Sequence, residues 1–367
     1  MKKIAINYNS AKYIYLFRID LIHALIHHNY EVTLICPEDD YLPMLKELDV
    51  NIEIVELNPT GISIFQDLKY FFSLVKIFKK NKITASLNFT IKPNIYGSLA
   101  AKFSDTKSIS TITGLGTAFL QNNLSAYLAR FLYKFSLKKS DLIFFQNKYD
   151  QDIFLSNNIC SIDNSSLVPG SGINTNVFVN NTPKKYSDRI HFMFVGRLIR
   201  EKGIVELLKA LKKITNNYKN IDVSIVGGRD ESCPITVKEQ QYYENDLSFK
   251  FYGNIRNIKE VMETADCIVL PSYREGTSRA LLEACSLGIP CIASDVPGCN
   301  NVIIDKYNGF LCSSNSIDSL YNSLMNFVKL DLNERVMMGK NARSYVIENF
   351  EQDIVIRTYL SKIEEIL

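Results

Sequence analysis

Short apolar runs alternate with amphipathic helical stretches along nearly the whole chain, and this alternation restricts the fold more than any other feature. Ile4–Asn7, Val32–Cys36, Ile52–Val55, Ala85–Phe89, Ser108–Thr113 and Leu142–Phe145 read as strands. Helical periodicity falls between them near Phe17–His28, Phe65–Lys80, Ile95–Lys102, Leu124–Lys139 and Tyr149–Ser156. Strands separated by helices argue for a parallel sheet with helical cover. The pattern breaks at a polar, Pro/Gly-bearing stretch near 169–188, containing Pro169-Gly170-Ser171-Gly172-Ile173-Asn174 and Asn180-Asn181-Thr182-Pro183-Lys184-Lys185, which reads as a linker. It then restarts with strands His191–Val195, Val223–Val226, Phe249–Tyr252, Cys267–Leu270 and Cys291–Ala293. Helices are expected near Ile204–Lys213, Ile258–Thr264, Thr277–Ser286, Ile317–Lys329 and Glu334–Ile347, and a last one from about Glu351 to Leu367. Two α/β domains follow, 1–180 and 181–350, each a doubly wound parallel sheet that binds ligands beyond the carboxyl ends of its strands.

With 367 residues, 46% of them hydrophobic, the chain can bury a core without metal or disulfide support. No uncharged apolar run reaches the roughly 18 residues of a membrane span. The N-terminus runs straight into a strand without a signal-peptide h-region, so a cytoplasmic location is expected. The eight cysteines form no C-x-x-C pair; reduced, buried thiols are expected rather than a zinc site.

The net charge of +3 hides an asymmetry: residues 65–139 hold 12 Lys and Arg against only Asp67 and Asp105, a net +10. In 124–139, Arg130, Lys134 and Lys138 share a face beside Leu128, Phe131, Leu132 and Phe135. In 65–80, Lys69, Lys76, Lys79 and Lys80 accompany Phe71, Phe72, Leu74 and Phe78. Such helices suit an anionic membrane surface, each basic residue contributing roughly 1 kcal/mol, or they are ordinary cover helices with a solvated face. Nucleic acid is not expected as a partner, because no aromatic-basic recognition motif is present.

Two constellations carry chemistry. Gly196-Arg197-Leu198-Ile199-Arg200-Glu201-Lys202-Gly203 directly follows a strand. A helix N-terminus, the planar fork of Arg197 and the point charge of Lys202 suit phosphate, although the same residues could form an exposed polar turn. Glu275 and Glu283 lie eight residues apart around the start of a helix. At up to roughly 12 Å along the axis they are too far apart for hydrolytic carboxylates, which sit at roughly 5–9.5 Å. They suit a clamp on two ends of a long ligand, with the N–H groups of Gly276, Thr277 and Ser278 facing an anion between them. The alternative is a solvated helix residue and an N-terminal helix charge. Thr113-Gly114-Leu115-Gly116-Thr117 lacks the third glycine of a dinucleotide fingerprint. His23 and His27 have metal-like spacing but no third ligand, and helix-face packing is expected of them. Asp150-Gln151-Asp152 reads as the acidic start of a helix.

The loop Gly196–Gly203, the Glu275/Glu283 pair and Gly172-Ile173-Asn174-Thr175-Asn176-Val177-Phe178 together resemble the family 4 retaining glycosyltransferases of GT-B fold, two Rossmann-like domains facing a cleft. The resemblance implies that Gly196, Arg197 and Lys202 bind the diphosphate of a UDP-sugar donor. It implies that Glu275 holds the transferred hexose, with Gly276, Thr277 and Ser278 near the phosphates, and that Glu283 binds the ribose hydroxyls. The loop Gly253–Arg256, including Ile255, would cradle the base. It also implies no metal or other cofactor, and a last helix, 351–367, that crosses back onto the first domain. Glu275, Arg197 and Lys202 are the catalytic candidates.

The first domain is similar to a narrower subgroup that extends polyprenyl-diphosphate-linked O-antigen, capsule or glycan intermediates. Thr90-Ile91-Lys92-Pro93-Asn94-Ile95-Tyr96-Gly97, Thr113-Gly114-Leu115-Gly116 and Gly227-Gly228-Arg229-Asp230-Glu231 carry that likeness. Asn9-Ser10-Ala11-Lys12 replaces the family's Gly-Gly loop, and a histidine common near Thr113 is missing. Arg18, Lys92, Thr113 and Gly114 are the acceptor-side candidates. The resemblance thus implies a cytoplasmic enzyme, peripheral on the inner face of the cell membrane. It would move a hexose or N-acetylhexosamine from a UDP-sugar to a polyprenyl-diphosphate-linked saccharide. A GT-B sugar-nucleotide epimerase and a non-catalytic glycan binder are the rivals.

Overall fold

A computed structural model of the chain describes residues 1–58, 63–115, 124–180, 188–230 and 232–367. It divides into two compact units, Met1–Ser171 with Asp353–Leu367, and Gly172–Gln352. Gly172–Phe178 goes with the second unit because its backbone is tied there. Ile173 donates its N–H to the Phe350 carbonyl at 2.9 Å. Arg279 Nη1 reaches the Gly172 carbonyl at 2.6 Å, and Ser286 Oγ the Phe178 carbonyl at 2.6 Å. The linker candidates Asn181, Thr182, Pro183, Lys184 and Lys185 lie outside the described residues, as do Gly116, Thr117 and Glu231.

The first unit holds strands β1 (Lys3–Asn7), β2 (Glu31–Cys36), β3 (Asn51–Ile54), β4 (Ala85–Phe89), β5 (Lys107–Ile112), β6 (Leu142–Phe145) and β7 (Ser165–Leu167). All pair in parallel, in the order β3-β2-β1-β4-β5-β6-β7. Its helices are α1 (Ala11–His27), α2 (Leu42–Leu45), α3 (Ile64–Asn81), α4 (Ile91–Lys102), α5 (Leu124–Leu137) and α6 (Lys148–Ser156). Helix α4 starts four residues earlier than its apolar periodicity suggests, because Pro93 sits in the first turn, where no N–H partner is needed. Asn147 caps α6, accepting the Asp150 N–H at 2.8 Å, so Asp150 and Asp152 do open a helix. His23 and His27 are exposed on α1 rather than packed.

The second unit holds β8 (Ile190–Val195), β9 (Ile221–Val226), β10 (Phe249–Gly253), β11 (Cys267–Leu270), β12 (Cys291–Ser294) and β13 (Gly309–Cys312), in the parallel order β10-β9-β8-β11-β12-β13. Helices α7 (Ile204–Asn217), α8 (Val237–Glu244), α9 (Ile258–Met262), α10 (Arg279–Ser286), α11 (Ile317–Lys329) and α12 (Leu332–Phe350) cover it. The eight thiols are free, six of them buried.

The final helix, α13 (Gln352–Ile366), completes the first unit. Val355, Tyr359, Leu360 and Ile363 are buried in one core cluster with Ile4, Ile6, Leu87 and Phe144. Tyr359 also makes a buried hydroxyl pair with Thr111 at 2.8 Å. Beneath α3 runs a polar seam: Tyr70 donates its hydroxyl to Asn7 Oδ1 at 2.7 Å, and Asn7 Nδ2 donates to Asn88 Oδ1 at 3.1 Å. Replacing Tyr70 by Phe leaves Asn7 Oδ1 buried without a donor. The expected cost is about 1–3 kcal/mol, read as a lowered melting temperature with unchanged far-UV circular dichroism. An unshifted melting curve would contradict this role for the seam.

Candidate active site

In an open α/β sheet the ligand crevice forms at the carboxyl edge where the strand order reverses. In the second sheet that switch lies between β8 and β11, which pair side by side. The loop 196–203 leaves β8 and the loop 271–278 leaves β11, so both sequence motifs border the same switch point.

Close backbone approach and side-chain bonds tie the two loops. Gly203 has φ +70, and a Cβ there would lie 2.1 Å from the Pro271 carbonyl oxygen. Tyr273 donates its N–H to the Glu201 carbonyl at 2.8 Å. Lys202 Nζ donates to Glu275 Oε1, which also accepts the Ser272 hydroxyl at 2.7 Å. Tyr273 donates its hydroxyl to Glu206 Oε1 at 2.9 Å, and burial, aided by that carboxylate, pushes its pKa up to about 12. A third loop closes from the far side. Gly298 has φ +83, and a Cβ there would lie 2.4 Å from the Glu275 carbonyl oxygen. The N–H of Glu275 reaches the Pro297 carbonyl at 3.2 Å. The N–H of Ser278 is spent on the Gly298 carbonyl at 2.9 Å, so it does not face an anion as the spacing suggests. Ser278 instead caps α10 through its hydroxyl.

Arg197 is exposed after β8, Gly196 and Ile255 are half-buried, and Thr277 Oγ1 accepts from Asn301 Nδ2 at 3.3 Å. Gly276 is buried in the same turn. Glu283 lies on α10, where burial raises its pKa and Arg279 partly opposes the rise. Arg279 donates to Glu283 Oε1 at 2.9 Å. That partner is absent from the sequence-based candidates, although its i,i+4 spacing was a legible signal. Tyr273, Glu206 and Gly298 are likewise absent, since no local pattern marks them.

The acceptor-side candidates of the first unit lie on α1, at the start of α4 and just past β5, with β4 and β5 paired side by side. Lys92 donates to Asp67 Oδ1 at 2.7 Å in a pair whose side chains are 11% and 6% exposed, tying α4 to α3. Arg18 is 2% exposed beneath α1, its guanidinium 4.2 Å from the Phe89 ring centre and 6.0 Å from that of Tyr359. Thr113 and Gly114 are half-buried just past β5, with Gly114 at φ +121.

Two variants test these placements. Gly203→Ala should drive Pro271 away and lower kcat/KM at least tenfold, a loss of about 1.4 kcal/mol, while the protein still folds. Unchanged kinetics would show that the loop contact is dispensable. Lys92→Ala should cost about 3–5 kcal/mol by leaving Asp67 buried and uncompensated. Stability should recover when Asp67→Asn and Lys92→Met are combined, and a double variant as unstable as the single one would overturn the ion-pair account.

Solved structures with the same architecture include sucrose-phosphate synthase from Thermosynechococcus elongatus, with TM-score 0.81 and 19% identity over 100% of this chain and 99% of that one. HepE from Anabaena, solved in complex with UDP, gives TM-score 0.80 and 15% identity over 100% of both chains. Two parallel, doubly wound units of this kind define the GT-B fold. Residues 179–345 match the family model "Glycosyl transferases group 1" and residues 3–147 match "Glycosyl transferase 4-like", so the chain belongs to these glycosyltransferases. It is 26% identical to the N,N'-diacetylbacillosaminyl-diphospho-undecaprenol alpha-1,3-N-acetylgalactosaminyltransferase of Campylobacter jejuni, over 96% of each chain. It is 27% identical to the UDP-Gal:alpha-D-GlcNAc-diphosphoundecaprenol alpha-1,3-galactosyltransferase of Escherichia coli, over 89% of this chain and 87% of that one.

Proposed function

We propose that this glycosyltransferase moves a hexose or N-acetylhexosamine, with retention, from a UDP-sugar to a saccharide on a polyprenyl diphosphate. The observation that carries the reading is the meeting of Lys202 and Glu275 at the switch point, with Glu283 on the next helix. The acceptors in the names of the two relatives support the lipid part. Arg197 and Lys202 hold the donor diphosphate, Glu275 the sugar, Glu283 the ribose, and the loop around Ile255 the base. The first unit takes the acceptor.

In the proposed step the bond from the sugar C1 to the phosphate oxygen breaks as the acceptor hydroxyl bonds to C1 on the same face. The acceptor proton passes to the departing UDP oxygen. Charge grows on that oxygen, and stabilising it is the work of the two cations. Arg197→Ala and Lys202→Ala should each lower kcat/KM more than tenfold, over about 1.4 kcal/mol. Labelled UDP-sugars and short-chain prenyl-diphosphate sugars provide the assay. Label moving into the lipid is expected; isomerised nucleotide, or binding without turnover, would overturn the reading.

The reading places the enzyme on the cytoplasmic face of a membrane. No helix among the described residues is long and apolar enough to cross one. Helices α3 and α5 instead expose Phe65 (81%), Phe72 (64%), Phe131 (66%) and Phe135 (55%) beside their lysines, while Leu74, Phe78, Tyr133 and Leu137 fill the core. Exposed aromatics among cations suit an anionic bilayer surface better than water alone. Flotation with anionic vesicles should show binding that weakens with salt and falls when Phe131 and Phe135 become Ser. Binding indifferent to both changes would count against this surface.

A further inference from the structure

Arg279 opens α10 and serves more than one partner. Its Nε donates to Glu283 Oε1 at 2.9 Å, its Nη1 donates to the Gly172 carbonyl at 2.6 Å, and its guanidinium carbon lies 5.8 Å from the Phe178 ring centre. The Arg279 and Glu283 side chains are only 23% and 13% exposed, unlike the solvated i,i+4 pairs whose worth is small. Glu283 Oε2 accepts no hydrogen bond from any described residue, so one oxygen is committed and one is open. We propose that Arg279 is a positioning residue for the nucleotide: it pins Oε1 of Glu283 and anchors that carboxylate to the Gly172 carbonyl, which presents Oε2 to the ribose hydroxyls of the donor. This rests on the donor-site reading above and adds the residue that makes Glu283 a directed acceptor.

The electrostatics agree with the geometry. Burial raises the Glu283 pKa, and the Arg279 cation pulls it back. The segment Gly172–Phe178 carries no charged residue. Arg343, reaching over from α12, spends its guanidinium on the carbonyls of Ser286, Phe178 and Thr175. Without Arg279, burial acts unopposed, and Glu283 takes up a proton at a higher pH than before. Its ionised form is then lost as pH falls through that raised value, and with it the open acceptor.

The test is UDP binding by calorimetry on the full chain between about pH 6 and 8.5, with Arg279→Met, Arg279→Lys, Glu283→Gln and the Arg279→Met/Glu283→Gln double variant. Relative to wild type at the same pH, which cancels the titration of UDP itself, Arg279→Met should weaken binding about tenfold at the acid end and less at the alkaline end. Arg279→Lys, which restores the cation without the fork, should keep a constant ratio to wild type across this range but not recover the full affinity. In the Glu283→Gln background, Arg279→Met should add less than about twofold and no pH dependence. An equal loss at every pH, or a full loss in the Glu283→Gln background, would overturn the proposal, and so would a harmless Arg279→Met beside a damaging Glu283→Gln. Should Arg279→Met fail to fold, an Arg279→Lys variant indistinguishable from wild type in affinity would also overturn it. Equal UDP affinity in wild type and Glu283→Gln would instead remove the donor-site reading, and this proposal with it.

Discussion

The Lys202–Glu275 pair joins the two loops on which the candidate site is built. Its side chains are 22% and 13% exposed, too enclosed for either charge to stand alone without a desolvation cost. Each charge balances the other. Around it, Gly203 against Pro271 and Gly298 against Glu275 leave no room for a β-carbon, so the three loops pack backbone to backbone. The site is therefore held by main-chain contacts that few substitutions can imitate.

Much of this was legible in the sequence. The runs Leu142–Phe145 and Cys267–Leu270 have strand boundaries that match the structure, because these buried parallel strands are apolar on both faces; Ala85–Phe89 matches too, with Ser86 and Asn88 as buried polar residues between its apolar ones. The motif loops were legible because glycine and charge punctuate the strand ends. Strand β7 escaped notice because Ser165 and Ser166 are polar and it pairs on one side only. Helix α8 has no buried residue, so hydrophobic periodicity could not reveal it. It is held by the reciprocal Thr236/Glu239 cap, a local signal that a reading based on apolar spacing passes over.

The acceptor side was less legible for a different reason. Lys92 looks like a free cation beside a strand end, yet its partner Asp67 lies 25 residues earlier on another helix. Arg18 sits within an ordinary amphipathic helix, yet the fold turns it inward onto Phe89 and Tyr359, residues from two distant parts of the chain. Spacing rules describe neighbours along one element. Packing of one element on another decides which charges are neutralised and which stay available.

The placement of α13 bears on how the protein is made. Tyr359, Leu360 and Ile363 share a core of the first unit with Ile14, Leu21 and Leu25 of α1, but they leave the ribosome only after the whole of Gly172–Gln352. The unit translated first has the α1 part of that core but lacks the α13 part until the second has been synthesised. Nascent chains stalled before α13 should hold chaperones longer than chains that include it, since part of the core over β1 is still missing from them.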